Sequence, residues 1–254
     1  MIRCLEGSTV DDHRDYLVVR SPASPMFWWG NFILLGSPPA PRDTASWLSR
    51  FAAEFPAASH IALGIDAADP HAADNSGLAE AGLRIERSAV LTAASVHEPP
   101  QPNDAARYRP LTSDEDWAAS LGLRLATDEG AEPAATRAFY QQRTADARRA
   151  ADGGHGAWFG AFAGGRLVAQ LGVFSDGSGL ARYQNVETHP SWRRRGLAGT
   201  LVYHAGRYAI DRLGAHTLVI VADPAAEAIR VYRSLGFVHA EAQIACQRSS
   251  SSTA

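Results

Sequence analysis

The sequence predicts an α/β protein with a mixed sheet, and three observations support that class. From Ala106 onward, apolar runs of strand length alternate with helical segments. Gly164-Gly165 and Asp176-Gly177-Ser178-Gly179 separate consecutive apolar runs, where they predict hairpin turns. A helical segment at 195–213 then lies between two further strands. Hairpins and a helical connection in one segment indicate a mixed sheet.

The elements of this segment follow in a definite order. A strand begins at about Ala106, where the sequence reads Ala-Arg-Tyr-Arg-Pro-Leu. The chain then continues with helices at 114–126 and 134–151, strands at 156–162, 167–174 and 181–188, a helix at 195–213, a strand at 216–222, a helix at 225–235 and a last strand through Cys246. Gly236 suits the C-terminal end of the last helix, with Phe237 just beyond it.

The most informative stretch starts the helix at 195–213 and reads Val-Glu-Thr-His-Pro-Ser-Trp-Arg-Arg-Arg-Gly-Leu-Ala from Val186. A helix start normally favours acidic residues, because its dipole is positive there and its first N–H groups lack partners. Three arginines at that position are unfavourable unless an anion lies among them. The glycine lets the backbone approach such an anion, so the stretch predicts a phosphate site.

Two motifs resemble those of the GNAT acyl-CoA N-acyltransferases. The spacing Arg193-x-x-Gly196-x-Ala198 is similar to the family's pyrophosphate loop, and Val-Tyr-Arg-Ser-Leu-Gly-Phe at 231–237 is similar to its second signature. The motifs occur in the family's order and at its distances. Two positions depart from the family pattern: Arg194 replaces a frequent Gly, and Ala225 replaces a frequent Asn near the pantetheine arm.

The resemblance implies a GNAT fold and an N-acetyltransferase that moves an acetyl group from acetyl-CoA, its cosubstrate, to a primary amine of a small molecule or peptide by direct attack. It assigns Tyr232 as the general acid, because a phenol with a pKa of ~10 can protonate a thiolate with a pKa of ~8.5. It assigns cofactor binding to Val186, Glu187, Thr188, Arg193, Arg194, Arg195, Gly196, Leu197, Ala198 and Gly199.

Several alternatives stay open at this stage. The general base is Glu187, His189, Tyr183 or a water chain, and Glu187 is the residue we name as catalytic. The acids in the segment 127–133 favour either a cationic amine or a solvated loop, and the loop is the preferred interpretation. The alternative function is a non-catalytic acyl-CoA-binding regulatory protein that kept the loop and lost turnover. The acceptor itself is not predicted.

The first hundred residues resemble a degenerate copy of the same fold. Their predicted strands and helices repeat the later order, but residues 36–43 carry three prolines and an acid where the cofactor loop should be. We therefore predict a GNAT-like domain without a cofactor loop at 1–98, a stiff linker at 99–103, a catalytic domain at 104–248 and a disordered tail at 249–254. The expected state is a monomer in which the two halves form an internal pseudo-dimer.

Composition excludes several other classes. A net charge of −3 gives no basis for nucleic-acid binding, and 20% charged residues are typical of a globular protein. Apolar stretches of membrane-spanning length and a signal peptide are not found, so a cytoplasmic location without membrane association is expected. The nine histidines and two cysteines form no ligand spacing, so no metal is assigned.

Overall fold

The chain divides into two compact units. The computed structural model describes residues 2–67, 74–128 and 133–249. The larger unit comprises Met1–Glu6, Leu91–Val221 and Ala225–His239. The smaller unit comprises Gly7–Val90, Ala222–Pro224 and Ala240–Ala254.

Helices and strands alternate along most of the described chain. In chain order they are α1 (Ile2–Leu5), β1 (Thr9–Asp12), β2 (Tyr16–Arg20), β3 (Phe32–Leu35), α2 (Thr44–Glu54), β4 (His60–Ala67), α3 (Ser76–Glu80), β5 (Arg84–Ala93), β6 (Arg107–Pro110), α4 (Asp114–Thr127), α5 (Pro133–Asp152), β7 (Gly156–Ala163), β8 (Arg166–Ser175), β9 (Leu180–Thr188), α6 (Leu197–Leu213), β10 (Thr217–Ala222), α7 (Ala228–Ser234) and β11 (Val238–Ser249). The elements predicted after residue 106 are confirmed, with ends that differ by up to three residues.

The larger unit contains strands in the order β10-β9-β8-β7-β6. The β10–β9 pair is parallel and the other three pairs are antiparallel, which confirms the mixed sheet. Helix α4 packs on β8 and β9, α5 packs on β7 and β8, and α6 packs on β7, β8 and β9. The sheet and its helices thus bring the end of β9 and the start of α6 together.

Helix α4 begins with a capping box formed by Ser113 and Asp116. The Ser113 hydroxyl accepts a hydrogen bond from the Asp116 N–H, and Asp116 completes a capping box. Two hydrogen bonds from the Arg109 guanidinium also reach the Asp116 carboxylate, and they hold its pKa at about 2. This anchored start fixes the path of α4 toward its end at Thr127.

The smaller unit contains strands in the order β1-β2-β3-β4-β11, with β3 and β4 parallel and the other pairs antiparallel. Helix α2 places Phe51, 2% exposed, in a core with strand residues such as Ile33 and Leu63. The apolar run at 27–35 forms a strand only in its second half, where β3 begins at Phe32. A 3-10 turn forms at Trp28–Gly30, because the Asn31 amide bonds Ser21 N–H and two carbonyl oxygens around the turn.

The observed units differ from the boundaries 1–98 and 104–248 expected from the sequence. Residues 240–249 belong to the smaller unit, because β11 pairs antiparallel with β4 from Ala242 opposite Ala67 to Ser249 opposite His60. The 99–103 segment belongs to the larger unit and is no free linker. Of the predicted tail at 249–254, Ser249 ends β11, and the rest lies outside the described residues.

Candidate active site

A cleft with a volume of about 880 Å³ opens in the larger unit. The end of β9, the first turn of α6, helix α7, residues 99–101 and the end of α4 with part of α5 surround it. This volume is typical of small-molecule and cofactor sites. Nine of the ten residues predicted to bind the cofactor line it, namely Val186, Glu187, Thr188, Arg193, Arg194, Gly196, Leu197, Ala198 and Gly199.

Helix α6 starts at this cleft without a side-chain cap. Its N-cap residue is Gly196, and its first turn contains no acidic residue. The helical ladder begins with the bond from Thr200 N–H to the Gly196 carbonyl, at 3.1 Å. The N–H groups of residues 197–199 therefore have no carbonyl partner within the helix. Together with the helix dipole, they make this wall of the cleft suited to an anion.

The arginine loop, residues 189–196, leads into this helix start. The His189 Nδ1 accepts hydrogen bonds from Ser191 and so caps a 3-10 turn at Pro190–Trp192. Beyond the turn, Arg194 has a φ of 62° and Gly196 a φ of 74°. A left-handed backbone is unfavourable for a non-glycine residue by ~1–2 kcal/mol. This geometry gives a physical reason for the glycine that often stands at position 194 in the family.

Gly196 is required for a second reason that the sequence did not indicate. A Cβ on this residue would lie 2.9 Å from the carbonyl oxygen of Gln101. The next residues of that segment bind the loop directly: the Asn103 side-chain amide donates to the Arg195 carbonyl at 2.7 Å, and the Asn103 N–H donates to the Thr200 hydroxyl at 2.9 Å. Residues 101–103 thus hold the arginine loop and the α6 start in place.

The three arginines of the loop have different surroundings, although all are exposed. Arg193 Nε donates to the Thr188 carbonyl at 3.4 Å, and both Arg193 and Arg194 line the cleft. The Arg195 guanidinium lies over the Trp192 ring at 4.7 Å and donates to the Ser191 carbonyl. Arg195 is the one predicted cofactor residue outside the cleft lining.

A β-bulge shapes the end of β9. Opposite β8, Gln184 pairs with Gly172 and Glu187 pairs with Gln170, so β9 contains one extra residue between these pairs. Asn185 at the bulge has a φ of 44°, a conformation that asparagine tolerates better than most residues. The parallel register with β10 joins residues 180–182 to 217–219, and β9 continues beyond it to Thr188. The cleft therefore has the backbone of Val186–Thr188 along one wall.

Glu187 takes part in a buried network. Its Oε2 accepts a hydrogen bond from Gln170 Nε2 at 2.7 Å, and its Oε1 lies 3.4 Å from Arg124 Nε. Gln170 is fully buried and also bonds Ser120 and Trp158 through its amide oxygen. The Glu187 side chain is 18% exposed and lines the cleft. Its carboxylate is therefore both fixed in direction and accessible.

Asp128 and Tyr140 also line the cleft, and the sequence did not predict this pair. The Tyr140 hydroxyl donates to Asp128 Oδ2 at 2.7 Å. Burial, followed by the Asp128 carboxylate, raises the pKa of Tyr140 to about 12, so its hydroxyl stays a donor at neutral pH. The preferred interpretation of the 127–133 segment as a solvated loop does not hold for Asp128, and Glu129 and Glu132 lie outside the described residues.

Tyr232 is placed differently from the other predicted residues. Val231 and Ser234 on the same helix line the cleft, but Tyr232 is not among the lining residues. Its side chain is 5% exposed and its ring packs edge-on against Phe237. Burial raises its pKa to about 12, which keeps the phenol protonated.

Two of the alternative bases, Tyr183 and His189, make hydrogen bonds to other parts of the protein and do not line the cleft. The Tyr183 hydroxyl donates to the Val202 carbonyl at 2.9 Å, and burial raises the pKa of this tyrosine well above its usual value. His189 caps the turn at Pro190–Trp192 through Nδ1, and its Nε2 lies 3.2 Å from an Arg166 nitrogen. Of the side chains we named, Glu187 is the one that lines the cleft.

The corresponding loop of the smaller unit has no comparable helix start. Residues Pro41–Asp43 form a 3-10 turn before α2. Helix α3 packs closely on it, since a Cβ on Gly77 would lie 2.8 Å from the Pro41 carbonyl oxygen and 2.5 Å from the Thr44 hydroxyl. The N-terminal end of α2 is therefore covered by protein.

Comparison with protein families identifies this architecture. Residues 123–237 match the model of the acetyltransferase (GNAT) family. The match includes the end of β9, the arginine loop and α7. These residues form a GNAT-family domain. Comparison with curated proteins gives no match. In the described part of the chain, no helix has the length and apolarity needed to span a bilayer, and no three His, Cys, Asp or Glu side chains are grouped as metal ligands.

Solved structures extend the likeness beyond the GNAT domain. A conserved protein of unknown function from Staphylococcus epidermidis has a TM-score of 0.71 at 14% identity, over 94% of this chain and 92% of its own. A GCN5-related N-acetyltransferase from Kribbella flavida scores 0.65 at 18% identity, over 94% and 89%. A tandem GNAT protein from the clavulanic acid biosynthesis pathway scores 0.60 at 14% identity, over 97% and 85%. The predicted GNAT fold class is thereby confirmed.

Proposed function

We propose that the protein is an N-acetyltransferase that moves an acetyl group from acetyl-CoA to a primary amine of a small molecule or peptide. The observation that carries this proposal is the uncapped start of α6 on the wall of the cleft, with the exposed Arg193 and Arg194 beside it. Such a site suits a group with several negative charges, and the GNAT family generally uses acetyl-CoA.

In this proposal the pyrophosphate of acetyl-CoA accepts hydrogen bonds from the N–H groups of residues 197–199. Arg193 and Arg194 neutralise its charge, and Gly196 allows the loop to turn without a side chain in the way. Asn103 holds the Arg195 carbonyl, so the loop keeps its shape before the donor binds. In the described part of the smaller unit, α3 covers the start of α2, so we expect no second donor site at that helix.

The acetyl group would lie along β9. The register of β9 with β10 ends at Arg182, while Glu187 and Thr188 stay paired with β8, and we propose that an N–H of Val186 or Thr188 donates to the thioester oxygen. A donor aimed at that oxygen stabilises the negative charge that develops when the amine attacks. The amine nitrogen forms a bond to the carbonyl carbon, and the carbon–sulfur bond then breaks.

The acceptor ammonium must lose two protons to become an amide nitrogen. Glu187, which lines the cleft and is held by Gln170 and Arg124, is the proposed acceptor of the first proton, directly or through water, so that the neutral amine can attack. The departing thiolate takes a proton, and Tyr232, whose phenol is protonated at neutral pH, is the proposed donor. The second proton leaves the nitrogen after the carbon–nitrogen bond has formed, and its transfer through water restores the Tyr232 phenol.

The donor site is tested by changing both arginines to glutamate. Calorimetric titration of the intact chain with acetyl-CoA should give one site, and Arg193→Glu with Arg194→Glu should weaken binding by at least 10-fold. Arg212→Glu is the matched control, because Arg212 is an exposed arginine in the last turn of the same helix. Equal binding by the double variant and the control would refute the assignment.

Catalysis is tested separately by thiol release from acetyl-CoA with a panel of primary amines. Release that depends on the amine supports the transferase. Acetyl-CoA binding without release for any amine would instead support the alternative, a non-catalytic acyl-CoA-binding regulator.

A further inference from the structure

We propose that Gln170 is the positioning residue for Glu187, and that Trp158 sets the orientation of the Gln170 amide. The inference rests on the proposed function, because it takes Glu187 as the base of the reaction. It extends that function to two buried side chains that are not among the lining residues of the cleft. Both act on the reaction through the direction of one carboxylate.

The β-bulge in β9 brings Glu187 and Gln170 to the same face of the sheet. Gly172 pairs with Gln184. In a regular ladder, Gln170 would then pair with Val186, and Glu187 would point to the opposite face. The extra residue shifts the register by one, so Glu187 pairs with Gln170 instead. The Gln170 Nε2 donates to Glu187 Oε2 at 2.7 Å across this pair.

Four hydrogen bonds give the Gln170 amide one orientation. Its Oε1 accepts from the Ser120 hydroxyl at 2.6 Å and from Trp158 Nε1 at 3.1 Å. Its Nε2 donates to the Ser120 carbonyl at 3.2 Å and to Glu187. An indole N–H can only donate and a carbonyl oxygen can only accept. A flipped amide would therefore oppose donor to donor at Trp158, and would turn its oxygen toward the Glu187 carboxylate.

A glycine makes room for the tryptophan that sets this orientation. Trp158 on β7 pairs with Gly172 on β8, and a Cβ on Gly172 would lie 2.5 Å from Trp158 Cε3. The Trp158 ring thus occupies space that any larger residue at 172 would fill. Its Nε1 thereby lies within hydrogen-bond distance of Gln170, although Trp158 itself is 4% exposed.

The second oxygen of Glu187 is held less closely. Its Oε1 lies 3.4 Å from Arg124 Nε, and that nitrogen has no hydrogen bond of good geometry. Among the described residues, Gln170 makes the one hydrogen bond to this carboxylate. A carboxylate has roughly four acceptor positions, so this bond fixes its direction and leaves positions for the acceptor ammonium or a bridging water.

The first test is Gln170→Leu, because leucine occupies similar space without the amide. In thiol release from acetyl-CoA, with the primary amine that reacts fastest, kcat should fall by about 10-fold or more, the loss expected for a hydrogen bond to a charged group. The KM for acetyl-CoA should change by less than about 3-fold, because Gln170 does not line the donor site. Trp158→Phe removes the N–H that fixes the amide, so it should lower kcat by about 3-fold or more.

A double-mutant cycle separates positioning from packing. Gln170→Leu also leaves the Trp158 N–H without its partner, so a loss of stability accompanies the loss of turnover. Glu187→Asp keeps a carboxylate but is one methylene shorter, so Gln170 no longer reaches it. In that background Gln170→Leu should cause no further loss of kcat. An equal loss in both backgrounds would assign Gln170 to core packing and overturn the inference.

Gln184→Leu is the matched control. Gln184 is 8% exposed on β9, and its Nε2 is buried without a hydrogen-bond partner in the described chain, so its removal should leave kcat unchanged. Unchanged kcat in Gln170→Leu, or an equal loss in Gln184→Leu, would overturn the inference and leave the transferase standing. If Gln170→Leu does not fold, unchanged kcat in Trp158→Phe overturns it. Absence of release with every amine in the unmodified protein would refute the proposed function, and the inference with it.

Discussion

Replacing Gly196 with alanine tests the geometry of the arginine loop most directly. The residue has a φ of 74°, and an added Cβ would lie 2.9 Å from the Gln101 carbonyl oxygen and 3.7 Å from Asn103 Cβ. The nearest neighbour is a backbone atom, which cannot rotate away as a side chain can. The loop or the 101–103 segment must therefore shift, and the N–H groups at the start of α6 shift with it.

The loss of folding stability expected for Gly196→Ala has two parts. A left-handed alanine is unfavourable by ~1–2 kcal/mol wherever it occurs, partly offset by the lower entropy of the unfolded chain. Gly154→Ala isolates this part, because Gly154 has a φ of 78° and no atom within 4 Å of the added Cβ. The contact with Gln101 adds ~1–2 kcal/mol in Gly196→Ala. At this chain length, 1 kcal/mol corresponds to roughly 2–4 °C in Tm.

Thermal unfolding and calorimetric titration with acetyl-CoA are the assays. Both variants should melt below the unmodified protein, and Gly196→Ala should melt lower. Only Gly196→Ala should weaken acetyl-CoA binding, by about 10- to 100-fold, the loss expected when a hydrogen bond to a charged group is displaced. A folded Gly196→Ala variant with unchanged affinity would refute the loop as the donor site.

Two further predictions concern residues around the loop and the leaving group. Asn103→Ala should raise the KM for acetyl-CoA by about 10-fold with a smaller change in kcat, because it removes the hydrogen bond to the Arg195 carbonyl. Asn103→Asp keeps the acceptor for the N–H groups of residues 105 and 106, so its KM should lie between those of Asn103→Ala and the unmodified protein. A lower kcat with unchanged KM would argue against a positioning role. Tyr232→Phe should lower turnover by ~10- to 1000-fold with little effect on acetyl-CoA affinity, as measured by thiol release and calorimetry. Unchanged turnover would assign the buried Tyr232 to core packing alone.

The sequence predicted the elements of the larger unit well, because their signals are local. Glycine pairs at 164–165 and 177–179 fix the hairpins through positive φ angles, and α6 is recognisable from its amphipathic pattern. The arginine loop was predictable because three cations at a helix start contradict the helix dipole unless an anion binds there. Residues 193–199, which join this loop to the first turn of α6, line the cleft, apart from Arg195.

Other features depend on contacts between residues far apart in the chain. Strand β11 pairs with β4, although nearly two hundred residues separate Ser249 from His60. The 99–103 segment has the proline content of a linker, and its role depends on the contact of Gln101 with Gly196 and on the bonds of Asn103. No pattern in the sequence indicates these partners.

The sequence by itself determined the fold class, the helix start that suits a phosphate and the two GNAT motifs, because each of them depends on residues close together along the chain. Only the tertiary structure decided which side chains share the cleft. It placed Asp128 and Tyr140 in the same cleft lining as Glu187, put Arg124 within 3.4 Å of the Glu187 carboxylate and buried Tyr232. The physical reason is that charge and hydrogen-bond partners act over a few ångströms in space, and the folding of α4, α5 and β9 against one another sets those distances.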